Sequence, residues 1–149
     1  MKKVAVIEGG YSKEKAISIK SAKTVFDNLD RTKFYPVRVL IDEKGWTAYD
    51  SEGRYSIDKN DFSFIKNGTK LNFEYAFIVI HGTPGEDGKL QGYLDMIGVP
   101  YNTSSAAIMA LTFQKFHCNQ FLKNFGVNVA EAVFIKPGDK INEKEVLNR

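Results

Sequence analysis

The chain has one cysteine and two histidines, and no apolar run approaches the ~18 residues of a membrane span. A lone Cys118 excludes an internal disulfide, which agrees with a reducing compartment. His117 stands beside it in a helical stretch, where adjacent side chains diverge, so the two make a poor metal site and a poor nucleophile–base couple. The net charge of +3 comes from scattered lysines and arginines without a basic stripe, so nucleic acid is not indicated. Met1-Lys2-Lys3 leads into an apolar segment of only strand length before Glu8. A signal peptide is therefore not expected, and the expected compartment is the cytoplasm. Phosphate-loop signatures are missing as well: Gly9-Gly10 belongs to no G-x-G-x-x-G pattern and has no Walker lysine and hydroxyl pair.

What is present is one domain's worth of chain, 149 residues at 43% hydrophobic content. At about this size folding buries ~68–70% of the unfolded surface. Val4-Ala5-Val6-Ile7 is a short apolar run ending in the turn Glu8-Gly9-Gly10-Tyr11, after which Ser12 suits the N-cap of a helix to about residue 29 and Glu14 its first turn. A strand over 35–41 completes a βαβ unit. Asp50-Ser51-Glu52-Gly53 separates 46–49 from 54–57 and predicts a β-hairpin covering the sheet edge. Ala76-Phe77-Ile78-Val79-Ile80 then delivers a buried strand into a loop with Gly82, Pro84, Gly85 and Gly88. Leu90, Tyr93, Leu94 and Ile97 share a helical face stopped by Gly98; a short strand is expected at 99–101. Ser104 or Ser105 caps a helix running to about Asn124, with Phe113, Phe116, Phe121 and Phe125 as packing residues. A last strand is expected at 131–135, broken by Lys136-Pro137-Gly138-Asp139 before a polar tail that ends at Arg149.

Two groups, Glu14 and His81, are the candidate catalytic residues. Glu14 and His81 each follow a predicted parallel strand at its C-terminal end, the edge where open α/β sheets bind ligands. A carboxylate can hold a substrate ammonium through a charge-assisted bond of ~1.5–3 kcal/mol, and an imidazole can donate to a substrate carboxylate. The pair suits a small zwitterion such as an amino acid, whereas Glu14 repels a nucleotide phosphate. Glu86 and Asp87 are expected to cap the helix after residue 88 rather than bind metal. Lys115 has three readings by residue type: a solvated helix-face lysine, a packing stem, or a contact to nucleotide phosphate.

The run Gly9-Gly10-Tyr11-Ser12-Lys13-Glu14 and the fuller run His81-Gly82-Thr83-Pro84-Gly85-Glu86-Asp87-Gly88-Lys89-Leu90-Gln91-Gly92 together resemble the D-alanine–D-alanine ligase family. Gly98-Val99-Pro100-Tyr101, Ser104-Ser105-Ala106 and Ala110-Leu111-Thr112-Phe113-Gln114-Lys115 extend the resemblance to about residue 135, with a less familiar interval at 42–72. Ala16 stands where the family often has a second acid, which leaves the local charge different, and Phe113-Gln114 stands where it often has Met-Asp, a packing change.

The resemblance implies an α/β fold of pre-ATP-grasp, Rossmann-like type: an open, mainly parallel sheet of about four strands with flanking helices and a small hairpin insertion. It implies a substrate-binding domain over 1–103, and a helix with the start of the ATP-grasp portion over 104–149. Glu14 would hold the amino group of the first D-alanine and His81 would orient its carboxylate, with Ser18 and Gly82 also in the substrate site. Lys115 would lie on the ATP phosphate side. No metal ligand is expected in this chain, because the Mg²⁺ carboxylates and most of the ATP site lie downstream in the family, so the fragment alone is expected to be inactive. The partners implied are D-alanine, the ATP-grasp domains and a second copy in a homodimer, with no nucleic acid or membrane. A D-alanine–D-lactate ligase and a non-catalytic amino-acid-binding domain are the alternatives.

Overall fold

The computed structural model describes residues 1–140 and Lys144, and the chain divides into two compact units, Met1–Ala110 and Leu111–Arg149. No helix among the described residues is long and apolar enough to cross a membrane.

The first unit is built on β1 (Lys2–Gly9), whose residues from Val4 onward are all buried, as both faces of a central parallel strand require. Helix α1 (Lys15–Asn28) returns the chain to β2 (Phe34–Asp42), which pairs with β1 in parallel from Lys2↔Phe34 to Gly9↔Ile41. Strands β3 (Gly45–Tyr49) and β4 (Arg54–Ser56) form the predicted hairpin, turned by Asp50, whose Oδ1 accepts the N–H groups of Glu52 and Gly53 at 2.8 and 3.1 Å. A second hairpin, β5 (Ser63–Lys66) and β6 (Thr69–Asn72), was not expected from the sequence. Its turn has positive φ at both Asn67 (50°) and Gly68 (76°), the pattern of a type I′ turn. Strand β7 (Tyr75–Ile78) then pairs with β1 in parallel, completing a five-stranded sheet in the order β4-β3-β2-β1-β7.

The core joins the sheet residues Ala5, Ile7, Val39 and Ile41 to the second hairpin with its flanks and to Leu90 and Leu94. Phe62, Phe64 and Phe73 are buried, and Trp46 and Tyr93 meet Phe62 edge to face at 6.0 and 6.1 Å, so aromatic packing anchors the second hairpin. Among the described residues one charged group lies inside: Glu8 is 1% exposed and accepts from Arg38 Nε at 2.9 Å, from Arg38 Nη2 at 2.5 Å and from the Tyr49 hydroxyl.

Several expectations are corrected. The strand at 99–101 reduces to one parallel bridge between Tyr101 and Ala76, because Pro100 has no N–H to donate. The Asn102 side chain takes over, accepting the Ile78 N–H at 2.7 Å and donating to the Ile78 carbonyl at 3.2 Å. After α2 (Lys89–Met96), the helix expected from 104 to 124 is two: α3 (Ala106–Phe113) and α4 (Lys115–Lys123), parted at Gln114, whose ψ of 81° is not helical. Residues 131–135 form no strand, having no ladder partner among the described residues; instead Phe134 packs on Phe116 and His117 at 5.0 and 5.5 Å. The polar tail beyond Lys140, Lys144 apart, lies outside the described residues.

Candidate active site

Because β1 and β7 are parallel neighbours, the segments that follow them leave the sheet at the same edge. Glu14 lies on one and His81 on the other. The two segments are joined directly by hydrogen bonds. Ser12 Oγ donates to the His81 carbonyl oxygen at 2.7 Å, and the Tyr11 N–H donates to the Thr83 carbonyl at 2.9 Å. The Ser18 hydroxyl adds a third link, accepting the Gly9 N–H and donating to the Val79 carbonyl, both at 2.9 Å.

Glu14 is itself the N-cap residue of α1, so the helix begins later than the Ser12 cap predicts. Its N–H donates to Ser12 Oγ at 3.1 Å, its side chain makes no capping bond, and it is exposed. An exposed carboxylate at a helix N-terminus is free to meet a cation. His81 is half-buried. Ser18, expected among the substrate contacts, is 0% exposed with its hydroxyl engaged by the protein's own backbone. Gly82 is buried with a φ of 74°, and a Cβ there would come within 2.9 Å of Ser12 Cβ, so only glycine lets the two loops approach this closely.

The acids of the His81 loop act within it. Glu86 Oε2 accepts the Gly82 N–H at 2.7 Å, and Asp87 Oδ2 accepts the Thr83 hydroxyl at 2.9 Å and Lys89 Nζ at 2.6 Å. The expected capping role is corrected for Glu86; Asp87 Oδ1 accepts the N–H of Lys89, the first residue of α2, at 3.4 Å, while the N-cap residue itself is Gly88 in a left-handed conformation with no side-chain cap bond. Burial works to raise the Asp87 pKa, but the hydrogen bonds from Lys89 and Thr83 outweigh it and hold the carboxyl below its ordinary value. Gln91, fully buried, braces the loop by donating to the Gly85 carbonyl at 2.7 Å and the Thr103 hydroxyl at 3.0 Å. Neither bracing role was read from the sequence; the only signal was the density of polar residues around the glycines.

At the end of β2, Lys15 Nζ meets Asp42 at 3.1 Å and Glu43 at 3.4 Å. The hydrogen bond with Lys15 holds Asp42 below the usual carboxylate range and that with Asp42 raises Lys15. An open apolar cleft of about 340 Å³ lies beside the loops, lined by Tyr11, Trp46, Lys59, Pro84, Lys89, Leu90 and Tyr93, and does not include Glu14 or His81. In the second unit, Lys115 is exposed as the first residue of α4. No group of three or more His, Cys, Asp or Glu side chains among the described residues is placed to hold a metal.

An open α/β domain whose polar loops converge at the carboxyl edge of neighbouring parallel strands belongs to the class of folds whose ligand sites lie at that edge. A sequence profile described as D-ala D-ala ligase N-terminus matches residues 3–104, and the chain belongs to this family. The D-alanine--D-alanine ligase of Azobacteroides pseudotrichonymphae is 45% identical over 146 residues, covering 97% of this chain and 45% of that protein. The chain thus spans about half the length of the curated relatives it matches. The structure of the D-alanine-D-alanine ligase from Coxiella burnetii matches with a TM-score of 0.86 at 27% identity, over 99% of this chain and 50% of that one. The D-alanine--D-alanine ligase from Bacillus anthracis complexed with ATP shares the fold, with a TM-score of 0.74 at 24% identity over 99% of this chain and 44% of that one.

Proposed function

We propose that the full-length protein is a cytoplasmic, homodimeric, ATP-dependent D-alanine–D-alanine ligase of peptidoglycan synthesis, and that this domain holds the first D-alanine. The observation that carries the reading is the Ser12 to His81 hydrogen bond, which fixes the Glu14 and His81 segments to each other at one sheet edge. In the proposed site the Glu14 carboxylate accepts from the substrate ammonium, and the His81 imidazole and the buried turn at Gly82 orient the substrate carboxylate. That carboxylate attacks the terminal phosphorus of ATP, giving an acyl phosphate and ADP. The amine of the second D-alanine then attacks the acyl carbon, expels phosphate and loses a proton to form the dipeptide.

Glu14 cannot serve that amine and the first ammonium at once, so its role here is binding alone. We give Ser18 a structural role, since its hydroxyl ties the end of β1 to the backbone that follows β7. Residues 1–103 are the substrate domain in this reading, and 104–149 lead into the ATP-grasp portion. Lys115 offers a cation on the nucleotide phosphate side. The described residues do not fit Mg²⁺, so its ligands lie elsewhere in the proposal and no step is routed through it.

Steady-state kinetics of full-length Glu14→Gln test the reading. Removing the charged partner of the ammonium should raise KM for the first D-alanine roughly ten- to a hundredfold and leave KM for ATP unchanged. An unaltered response to D-alanine sinks the assignment.

A further inference from the structure

We infer that Ser12 is a positioning residue that sets the spacing of Glu14 and His81 through a single hydroxyl oxygen. The inference rests on the ligase reading for its kinetic consequence but has its own structural readout. Capping logic treats this serine as a local device, an acceptor for a helix-start N–H. Its acceptor role is indeed local, taking the Glu14 N–H at 3.1 Å. Its proton, however, goes across the site to the His81 carbonyl at 2.7 Å, sixty-nine positions along the chain. One oxygen therefore contacts the backbone of both candidate substrate residues, and neither contact uses the side chain that would meet the ligand.

The surroundings make this link short and stiff. Gly82, next to the accepted carbonyl, packs so closely that a Cβ on it would lie 2.9 Å from Ser12 Cβ and 3.2 Å from Ser12 Oγ. The Gly82 N–H is held from its other side by Glu86 at 2.7 Å, so the loop has little freedom to follow a displaced serine. Tyr11, the preceding residue, donates its N–H to the Thr83 carbonyl at 2.9 Å, which leaves Ser12 the last tie before the chain turns into α1. Removing the hydroxyl frees the Glu14 N–H and the His81 carbonyl together. A residue acting only as a helix start would affect the first and leave the second unmoved.

The test is full-length Ser12→Ala, measured two ways with Glu14→Gln beside it. In hydrogen–deuterium exchange, Ser12→Ala should lose protection in the segment 10–18 and also in the segment 79–88, with the melting temperature close to that of the parent. In kinetics with MgATP and D-alanine, KM for the first D-alanine should rise roughly tenfold while KM for ATP stays within about twofold. Exchange that increases only in 10–18 reduces Ser12 to a helix-start residue and overturns the inference. So does an unchanged D-alanine response in Ser12→Ala when Glu14→Gln alters it, an outcome that leaves the ligase reading standing. If the parent forms no dipeptide, the ligase reading fails, and the exchange of 79–88 alone decides whether Ser12 couples the loops.

Discussion

Ser18→Ala should weaken folding more than it alters substrate affinity, which separates a structural hydroxyl from a binding one. The hydroxyl is fully buried and makes two bonds, accepting from the Gly9 N–H and donating to the Val79 carbonyl, both at 2.9 Å. Alanine fits the same space, so the cost is confined to hydrogen bonding. A net ~0.5–1.5 kcal/mol for each bond gives about 1–3 kcal/mol, and the upper part of that range is expected because Gly9 is buried and its N–H is left without a partner. Urea unfolding followed by circular dichroism should show a lower midpoint at unchanged m, since the surface exposed on unfolding is nearly the same. Substrate kinetics well below the melting temperature should leave KM for D-alanine near the parental value. A variant within about 0.5 kcal/mol of the parent, or one that unfolds normally yet needs far more D-alanine, would refute the reasoning and return Ser18 to the substrate site.

The buried pair of Glu8 and Arg38 gives a second test: Arg38→Ala strands a carboxylate that is 1% exposed and should cost about 3–5 kcal/mol in urea unfolding, while Glu8→Leu/Arg38→Met together should recover a large part of the loss. Equal stability of Arg38→Ala and parent argues against a buried charge at Glu8. Tyr49 supplies a pH dependence. Burial, then the bond and charge of Glu8, push its phenol above the ordinary tyrosine value, against the pull of Arg38 and Arg54. The folded state thus keeps a proton that the unfolded chain releases above ~10, so this stabilisation is complete below that pH and is lost as pH rises from there through the folded value. Unfolding free energy should fall less steeply above pH ~10 in Tyr49→Phe than in the parent, and identical slopes would exclude Tyr49 as a contributor.

What was legible in the sequence was what depends on short stretches. The apolar run Val4–Ile7 reads as a buried strand because both faces of β1 are covered, and the glycine-punctuated run after Ile80 reads as a loop because its backbone turns tightly. Asn67-Gly68 was also there to be read as a hairpin turn, but its flanks, Ser63–Lys66 and Thr69–Asn72, are half polar, and their anchoring comes from Phe62, Phe64 and Phe73 packed outside the strict alternation. The break at Gln114 has no proline or glycine to announce it. The stretch Ala132-Val133-Phe134-Ile135 has strand composition, yet a strand is a property of a pair and composition names no partner. For the site, Glu14 and His81 were visible as residue types at strand ends. The bonds that join their loops were not, because the acceptors of Ser12 and Ser18 lie far away in the sequence.

The exposure of Glu14 sets how the proposed ligase must use this domain. A carboxylate open to water holds an ammonium for only ~0–1 kcal/mol, because solvent screens the pair and competes for both partners. The ~1.5–3 kcal/mol of a charge-assisted bond is reached when the partners are taken out of water. Within this unit the sheet edge supplies a floor: two loops tied together, a glycine turn packed on Ser12, and a half-buried imidazole. The nearby cleft of about 340 Å³ does not enclose either group. In the proposed enzyme, then, the domain fixes direction and spacing while water is excluded by protein outside this unit. Removing the Glu14 charge should therefore matter most in the closed, nucleotide-bound enzyme, where the substrate ammonium has the fewest other partners.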